Sequence, residues 1–163
     1  MNIKTITTAV LCLTITGFLL RGCFTGPEGQ IRKQLSEVEE LVSYEAGESE
    51  LGALGKAKRL GEIFTEDVAI ELTGFTGAKK LGGREQVQQA AMAARSEASS
   101  LQVSLYDVEI QVAEDKMSAT VEATGQAKLG QENSTMVQDF VFTFENTSEG
   151  WLIAKVMTVE ALR

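Results

Sequence analysis

The second half of the chain contains four successive segments in which apolar and polar residues alternate, and this pattern restricts the fold more than any other feature. The segments span residues 101–113, 116–129, 134–146 and 150–162. Alternation with a period of two is typical of strands that bury one face of a sheet. Short polar connections separate the segments, as antiparallel hairpins require. We therefore predict an antiparallel sheet of four long strands.

The first of these segments changes phase partway along its length. Apolar residues occupy odd positions as far as Leu105 and even positions from Val108 onward. One extra residue in a strand places the apolar side chains before and after the change of phase on the same face of the sheet, and it also bends the sheet. We therefore predict a β-bulge near Tyr106-Asp107 and a curved sheet.

The first half of the chain follows a helical period instead. Thr25-Gly26-Pro27-Glu28 is typical of a helix start, Gly47-Glu48-Ser49 separates a first helix from a second, and Gly82-Gly83 opens a third. Between the second and third helices, residues 66–72 alternate like a short strand, and residues 73–83 are rich in turn formers. Apolar residues spaced three and four apart give the three helices their predicted buried stripes, which are Ile31, Leu35, Val38, Leu41 and Val42 in the first, Leu51, Leu54, Ala57, Leu60, Ile63 and Phe64 in the second, and Val87, Ala90, Ala91, Ala94 and Ala98 in the third.

The chain is acidic and contains no histidine. Its 15 Lys and Arg residues against 23 Asp and Glu residues give a net charge of −8, a field that repels nucleic acid. The absence of histidine excludes imidazole catalysis and His-ligated metals. Because Cys12 and Cys23 both lie near the start of the sequence, the globular part has no cysteine for a metal site either, and we predict no metal and no cofactor. The charged residues of the first helix, Glu39 among them, are predicted to lie on its solvated face.

Residues 1–22 resemble a signal sequence or a membrane anchor. Lys4 is followed by an uncharged run that ends at Arg21, and this run is too short and too rich in threonine for a typical spanning helix. Leu20-Arg21-Gly22-Cys23 resembles the lipobox of bacterial lipoproteins, which implies lipidation of Cys23, although Arg21 stands where that motif has a small or apolar residue. An uncleaved anchor and a frayed tail are the alternatives.

Both membrane interpretations place the rest of the chain outside the cytoplasm. We predict a signal sequence or anchor at residues 1–22, a short tether at residues 23–27 and one globular domain at residues 28–163. Because the tether is short, it would hold the domain against the membrane surface. The predicted location is the extracytoplasmic side of the bacterial cell envelope.

The order of elements resembles the nuclear transport factor 2-like superfamily. Three segments carry this resemblance: Ile63-Phe64-Thr65-Glu66-Asp67-Val68-Ala69-Ile70, Gly82-Gly83-Arg84-Glu85-Gln86-Val87 and Gly150-Trp151-Leu152-Ile153. The resemblance covers residues 28–162. It implies a cystatin-like α+β fold, in which a curved antiparallel sheet of four long strands plus a short strand is closed by three helices into a cone. Members include isomerases, dehydratases, polyketide cyclases and non-catalytic subunits, so the fold leaves the function open.

The resemblance implies that a catalytic member would use a carboxylate base and a tyrosine or acid donor inside the cone. The weak candidates in this chain are Tyr44, Tyr106 and Asp107, with Tyr44 and Asp107 as the best pair. Glu71 and Asp139 oppose the main apolar positions of their strands, so we predict that both point away from the cone. The pattern gives no convincing catalytic group, and a non-catalytic interpretation is favoured.

The cone is predicted to be lined by apolar side chains from two neighbouring strands. These are Phe140, Phe142 and Phe144 on one strand and Ala119, Val121 and Ala123 on the other. Large residues facing small ones either fill a core by close packing or leave an apolar cavity for a small hydrophobic ligand. Both alternatives stay open at this point.

The outer face of the sheet is predicted to expose a second set of apolar residues, Val137, Val141, Leu152 and Val156. Exposed apolar patches often mark interfaces, and the resemblance implies pairing through this face. We therefore predict a homodimer.

Two hypotheses about function follow. The favoured one is a membrane-anchored extracytoplasmic module that binds a small ligand or assembles with protein. The alternative is a histidine-free isomerase, dehydratase or cyclase that acts on a small apolar substrate in the cone.

Overall fold

The computed structural model describes residues 26–73, 79–130 and 134–159. The predictions for residues 1–22 and for Cys23 lie outside these described residues. No helix within the described ranges is long and apolar enough to cross a membrane. The elements, in chain order, are helix α1 (Pro27–Val42), helix α2 (Glu50–Glu62), strands β1 (Phe64–Leu72) and β2 (Lys79–Gly82), helix α3 (Arg84–Glu97), and strands β3 (Leu101–Val112), β4 (Ser118–Leu129), β5 (Ser134–Thr147) and β6 (Gly150–Val159).

The strands form one six-stranded sheet in the order β2-β1-β6-β5-β4-β3. All neighbours are antiparallel except β1 and β6, which are parallel. The sheet is curved and unclosed, with β2 and β3 at its edges. The predicted α+β fold, with a curved and mostly antiparallel sheet and three helices, is confirmed.

The structure adds one strand that the sequence pattern missed. Residues 79–82 were assigned to a turn-rich stretch, but they form β2, which pairs with the end of β1 from Ala69 opposite Gly82 to Leu72 opposite Lys79. Four residues with two adjacent lysines show no alternation from which a strand could be recognised. Lysine is also a common residue on exposed edge strands, where its charge opposes pairing with another chain.

The predicted bulge in β3 is confirmed. The register with β4 passes from Tyr106 opposite Thr124 to Glu109 opposite Glu122, so β3 contains an extra residue at this point. Asp107 adopts a φ of 51° there, in the left-handed region that aspartate tolerates better than most residues. The bulge returns Val108 to the concave face of the sheet.

A second bulge, in β6, was not predicted. Thr143 lies opposite Lys155 but Phe144 lies opposite Ile153, which leaves Ala154 as the extra residue. Beyond Ala154, the residues of β6 therefore point to the opposite faces from those that strict alternation predicts. Lys155 lies on the outer face, where Ala154 and Val156 were expected.

Helix α2 differs from its predicted stripe. Leu51 and Leu54 are exposed, whereas Ala53, Ala57 and Leu60 are buried. The packing explains the difference, because α2 lies so close to α3 that a Cβ on Gly61 would clash with the side chain of Gln88. Small residues permit this approach, and leucine on that face would not. Phe64, the last residue assigned to the helical stripe, instead opens β1.

The core lies between α1 and the concave face of the sheet. Its fully buried side chains come from the first half of α1 and from four strands: Ile31, Val68, Val121, Phe144 and Ile153. The side chain of Arg32 donates a hydrogen bond to the carbonyl of Val108, and the side chain of Glu39 accepts one from the amide of Leu105. Helix α1 therefore runs antiparallel to β3. Buried side chains thus fill the end of the cone near the start of α1.

Candidate functional site

A cavity of about 260 Å³ lies at the other end of the cone, under the second half of α1. Helix α1 supplies Val38, Glu39 and Val42 to its wall, and every strand except β2 supplies at least one residue. Its wall is almost wholly carbon. The cavity therefore suits an apolar molecule.

The wall contains two polar side chains among the described residues, Glu39 and Gln138, and each has one polar atom hydrogen-bonded to the protein. Oε1 of Glu39 accepts a hydrogen bond of 2.5 Å from the amide of Leu105. Nε2 of Gln138 donates a hydrogen bond of 2.7 Å to the carbonyl of Val159. These side chains thus line the cavity mainly with their carbon atoms.

The predicted lining residues divide into two groups. Phe140 and Phe142 line the cavity. Phe144, with Ala119, Val121 and Ala123, is buried in the filled part of the core and is not among the cavity residues. Close packing and an apolar cavity are therefore both present, at opposite ends of one row.

Gly125 and Ala127 of β4 provide the space at the cavity end of this row. The ring of Phe140 lies over Gly125, where an added Cβ would be 2.5 Å from its Cε2 atom. Real Cβ atoms essentially never approach this closely. Gly125 thus fixes the position of the Phe140 ring at the cavity wall.

We expect Gly125→Ala to push the Phe140 ring toward the cavity and to lower the free energy of unfolding by about 1–3 kcal/mol, the usual cost of overpacking. Gly55→Ala is the matched control, because nothing lies within 4 Å of a Cβ at that position on α2. The control should be stabilised by about 0.5–1 kcal/mol, since alanine favours helix. Urea unfolding of the two variants measures the difference, and equal effects would contradict the proposed position of the ring.

Tyr44 lies away from the cavity, and its side chain packs against α3. Its hydroxyl donates a 2.7 Å hydrogen bond to the carbonyl of Ala94 on α3, and the Arg95 guanidinium carbon lies 5.0 Å from its ring centroid. Burial raises the pKa of the Tyr44 phenol, against the opposing effect of Arg95. Its main chain also pairs with Leu101 at the start of β3.

Tyr106 and Asp107 lie at the β3 bulge, on the outer side of the sheet. Tyr106 is half exposed and lies opposite Thr124, whose side chain faces outward. Asp107 borders a shallow outer depression together with Glu109 and Asp139. Tyr44 and Asp107 share no cavity within the described part of the chain, so the structure does not bring together the best catalytic pair suggested by the sequence.

The two carboxylates predicted to point away from the cone do so. Asp139 accepts a hydrogen bond of 2.9 Å from the hydroxyl of Thr124 on the outer face. Glu71 forms an ion pair of 3.0 Å with Lys80 of the edge strand β2. The hydrogen bond and charge of Lys80 lower the pKa of Glu71.

The outer apolar face is smaller than the sequence predicted. Val137 is 58% exposed and Val141 is partly exposed on the same face. The assignment of Val156 to this face is wrong: the β6 bulge places it opposite Phe142 in the core, where it is 6% exposed. Leu152 lies opposite Glu145 but is also 6% exposed, so it has little surface to offer a partner.

Glu39 is the residue at the cavity that the sequence interpretation missed. It was assigned to the solvated face of the first helix, but it is partly buried and bonds to β3. The helical spacing carried a signal, because Glu39 follows Leu35 by four residues and precedes Val42 by three. Residues at those spacings share one side of a helix.

A charged cluster fixes the loop after α1 to α3. Glu48 accepts hydrogen bonds from Arg95 at 2.9 Å and forms an ion pair of 2.8 Å with Lys56. The hydrogen bond from Lys56, together with that from Arg95, lowers the pKa of the Glu48 carboxyl. Within the described ranges, no group of three or more acidic, cysteine or histidine side chains could hold a metal ion.

The pKa of Glu48 predicts how stability depends on pH. Because the carboxyl is more acidic in the folded state than in the unfolded state, it stabilises the fold above its unfolded pKa of about 4.3, and this stabilisation is lost as the pH falls through the lower folded value. We expect Glu48→Gln to be less stable at pH 7 and to lose less stability between pH 5 and pH 3. Urea unfolding across this range measures both effects, and parallel curves would contradict the assignment.

Two kinds of comparison relate this geometry to known proteins. A family model described as the SnoaL-like domain matches residues 54–157, more than half of the chain. Among solved structures, a nuclear transport factor 2-like protein with a cystatin-like fold from Novosphingobium aromaticivorans aligns with a TM-score of 0.64 at 17% sequence identity, covering 88% of this chain and 87% of that one.

Two further solved structures that align with this chain are named after different functional classes. A candidate dehydratase of the nuclear transport factor 2-like family from Streptomyces avermitilis has a TM-score of 0.62 at 17% identity, with 82% of this chain and 95% of that chain covered. A candidate calcium/calmodulin-dependent protein kinase II association domain from Xanthomonas campestris has a TM-score of 0.61 at 13% identity, with 83% and 88% covered. At these identities the likeness shows the fold alone. No curated protein sequence matches the chain.

Proposed function

The chain belongs to the SnoaL-like domain family, and from that premise we propose that it binds a small apolar ligand in its cone cavity without catalysing a reaction. The observation that carries this proposal is the carbon-lined cavity of about 260 Å³, whose two polar side chains are hydrogen-bonded. Acid-base catalysis needs a proton donor or acceptor within reach of the substrate. A binding site needs only the apolar wall and the space.

Binding of the neutral fluorescent probe N-phenyl-1-naphthylamine tests the proposal. We expect its fluorescence to rise on binding to the native protein and to stay low with Ala127→Phe, which fills the cavity. Ala93→Phe is the matched control, because Ala93 is exposed on α3 and its substitution leaves the cavity unchanged. Circular dichroism is used to check that both variants are folded. Failure of the native protein to bind, or equal binding by Ala127→Phe, would overturn the proposal.

We also propose that the domain is anchored to a membrane on its extracytoplasmic side. The support comes from the uncharged run before Arg21 and from the lipobox-like Leu20-Arg21-Gly22-Cys23. The intact mass of the protein extracted from membranes tests this proposal. Loss of residues 1–22 together with acyl groups on Cys23 is expected, whereas a full-length unmodified mass would refute lipidation.

A homodimer through the outer face of the sheet is a further part of the proposal. Its remaining apolar residues include Tyr106, Val137 and Val159, all of which are exposed. A partner that covers them would remove apolar surface from water. Sedimentation should give a dimer for the native protein and a monomer for Val137→Glu, and a monomeric native protein would rule out the dimer.

A dehydratase or isomerase remains the second candidate function, because Glu39 borders the cavity and one solved structure of this fold is a candidate dehydratase. A reaction of this class removes a proton next to a carbonyl group, and Glu39 would be its base. Deuterium exchange at the α-carbon of 2-tetralone, measured by mass spectrometry, separates the two functions. Exchange that is accelerated by the native protein and lost in Glu39→Gln would favour the enzyme, whereas our leading proposal expects no acceleration.

A further inference from the structure

A polar groove of about 880 Å³ lies beside the apolar cavity. It runs between the second half of α1, the loop that follows, and the start of β3. Two side chains, Glu39 and Val103, belong to the walls of both spaces. A molecule that filled the cavity and extended past these side chains would therefore emerge in the groove.

The charges along the groove are unbalanced. Its carboxylates are Glu39, Glu40, Glu45 and Glu48, and its ammonium groups are Lys56 and Lys128. Lys56 and Glu48 neutralise each other across 2.8 Å, and Arg95 also pairs with Glu48. Within the described residues, Glu40 and Glu45 form no ion pair. Lys128 forms no ion pair within the described residues either, so four carboxylates face three cations and the groove keeps an excess of one negative charge.

We infer that the ligand is an amphiphile with a cationic head, whose apolar body fills the cavity and whose head lies in the groove. This inference rests on the proposed function, because it specifies the chemistry of the same site. An ammonium head leaving the cavity passes the carboxylate of Glu39 and enters the field of Glu40 and Glu45. A carboxylate head on the same body would meet like charges, an arrangement that disfavours binding.

The size of the cavity sets the size of the body. A cavity of roughly 150 Å³ holds one benzene molecule, so a cavity of about 260 Å³ accepts a bicyclic ring, such as the naphthyl group of N-phenyl-1-naphthylamine, or a chain of eight carbons. Octylamine, 1-octanol and octanoate share one such chain and differ in their heads. They therefore separate the contribution of the cavity from that of the groove.

Isothermal titration of the three compounds at low salt tests the inference. We expect octylamine to bind at least about tenfold more tightly than octanoate, with 1-octanol between them, and we expect this preference to shrink at high salt, where surface charges are screened. The double variant Glu40→Gln/Glu45→Gln should lose most of the preference while still binding 1-octanol. The double variant Glu109→Gln/Glu122→Gln is the matched control, because it removes the same charge from the outer face of the sheet.

The outcomes distinguish this inference from the proposed function. If 1-octanol binds but octanoate binds as tightly as octylamine, the cationic head is wrong and the apolar site stands. If both double variants reduce the preference equally, the preference comes from the overall charge of the protein and the inference is overturned. If neither 1-octanol nor N-phenyl-1-naphthylamine binds, the proposed function fails, and the inference fails with it.

Discussion

Replacing Arg95 with methionine is expected to lower the free energy of unfolding by about 1–3 kcal/mol, the cost of leaving partly buried hydrogen-bond acceptors without their donor. The Arg95 side chain is 8% exposed. Its guanidinium donates to Oε2 of Glu48 at 2.9 Å and to the carbonyls of Leu41 and Ala91 at 2.7 and 2.9 Å. Methionine satisfies none of these acceptors, and it also removes the cation from the ring of Tyr44.

Arg59→Met is the control for this prediction, because it breaks an ion pair of similar length on the surface. Arg59 approaches Glu37 at 2.6 Å but its side chain is 66% exposed, and exposed pairs contribute about 0–1 kcal/mol. Urea unfolding at pH 7 compares the two variants. A loss in Arg95→Met no larger than that in Arg59→Met would show that the buried cluster does not hold α1 and α3 together.

The sequence could not have predicted the role of Arg95, and the reason is physical. A helix with a charge in its last turn is typical of a solvated surface, where a cation also stabilises the helix dipole. What buries Arg95 is the loop after α1, which brings the carboxylate of Glu48 and the carbonyl of Leu41 to its guanidinium. Glu48 and Leu41 precede Arg95 by 47 and 54 positions in the sequence. Contacts between residues so far apart leave no local pattern in a sequence.

The two bulges show where alternation is informative and where it fails. In β3, polar residues separate the apolar ones, so the change of phase at Tyr106 is visible in the sequence. In β6, the run Trp151-Leu152-Ile153-Ala154 is apolar throughout, so a change of phase within it leaves no trace. The wrong face assigned to Val156 follows from this, and the predicted dimer surface was correspondingly too large.

The row Phe140, Phe142 and Phe144 was assigned to the correct face, yet its division into cavity and packed core was beyond the sequence. That division depends on the size of the side chains that α1 places over each end of the row. Ile31 and Leu35 fill the space above the closed end, whereas Val38 and Val42 leave a gap above Gly125 and Ala127. The lengths of side chains facing each other across the cone therefore decide the shape of the site.

This division predicts a second large effect. Phe144 is fully buried in the closed end, so Phe144→Ala should lower the free energy of unfolding by about 3–5 kcal/mol through lost burial and a new void. Phe140 is partly buried beside a cavity that already exists. Its truncation removes less contact and adds to an open space, so Phe140→Ala should lower the free energy of unfolding by about 1–2 kcal/mol.

Urea unfolding of the two phenylalanine variants, combined with binding of N-phenyl-1-naphthylamine, checks this expectation. Phe140→Ala should still bind the probe, because it enlarges the cavity, whereas Phe144→Ala changes a region that the probe does not reach. Equal losses of stability in the two variants would mean that the wall around Phe140 is packed as tightly as the closed end. A carbon-lined space without room for a ligand could not support the proposed function, so this comparison tests the cavity independently of any choice of ligand.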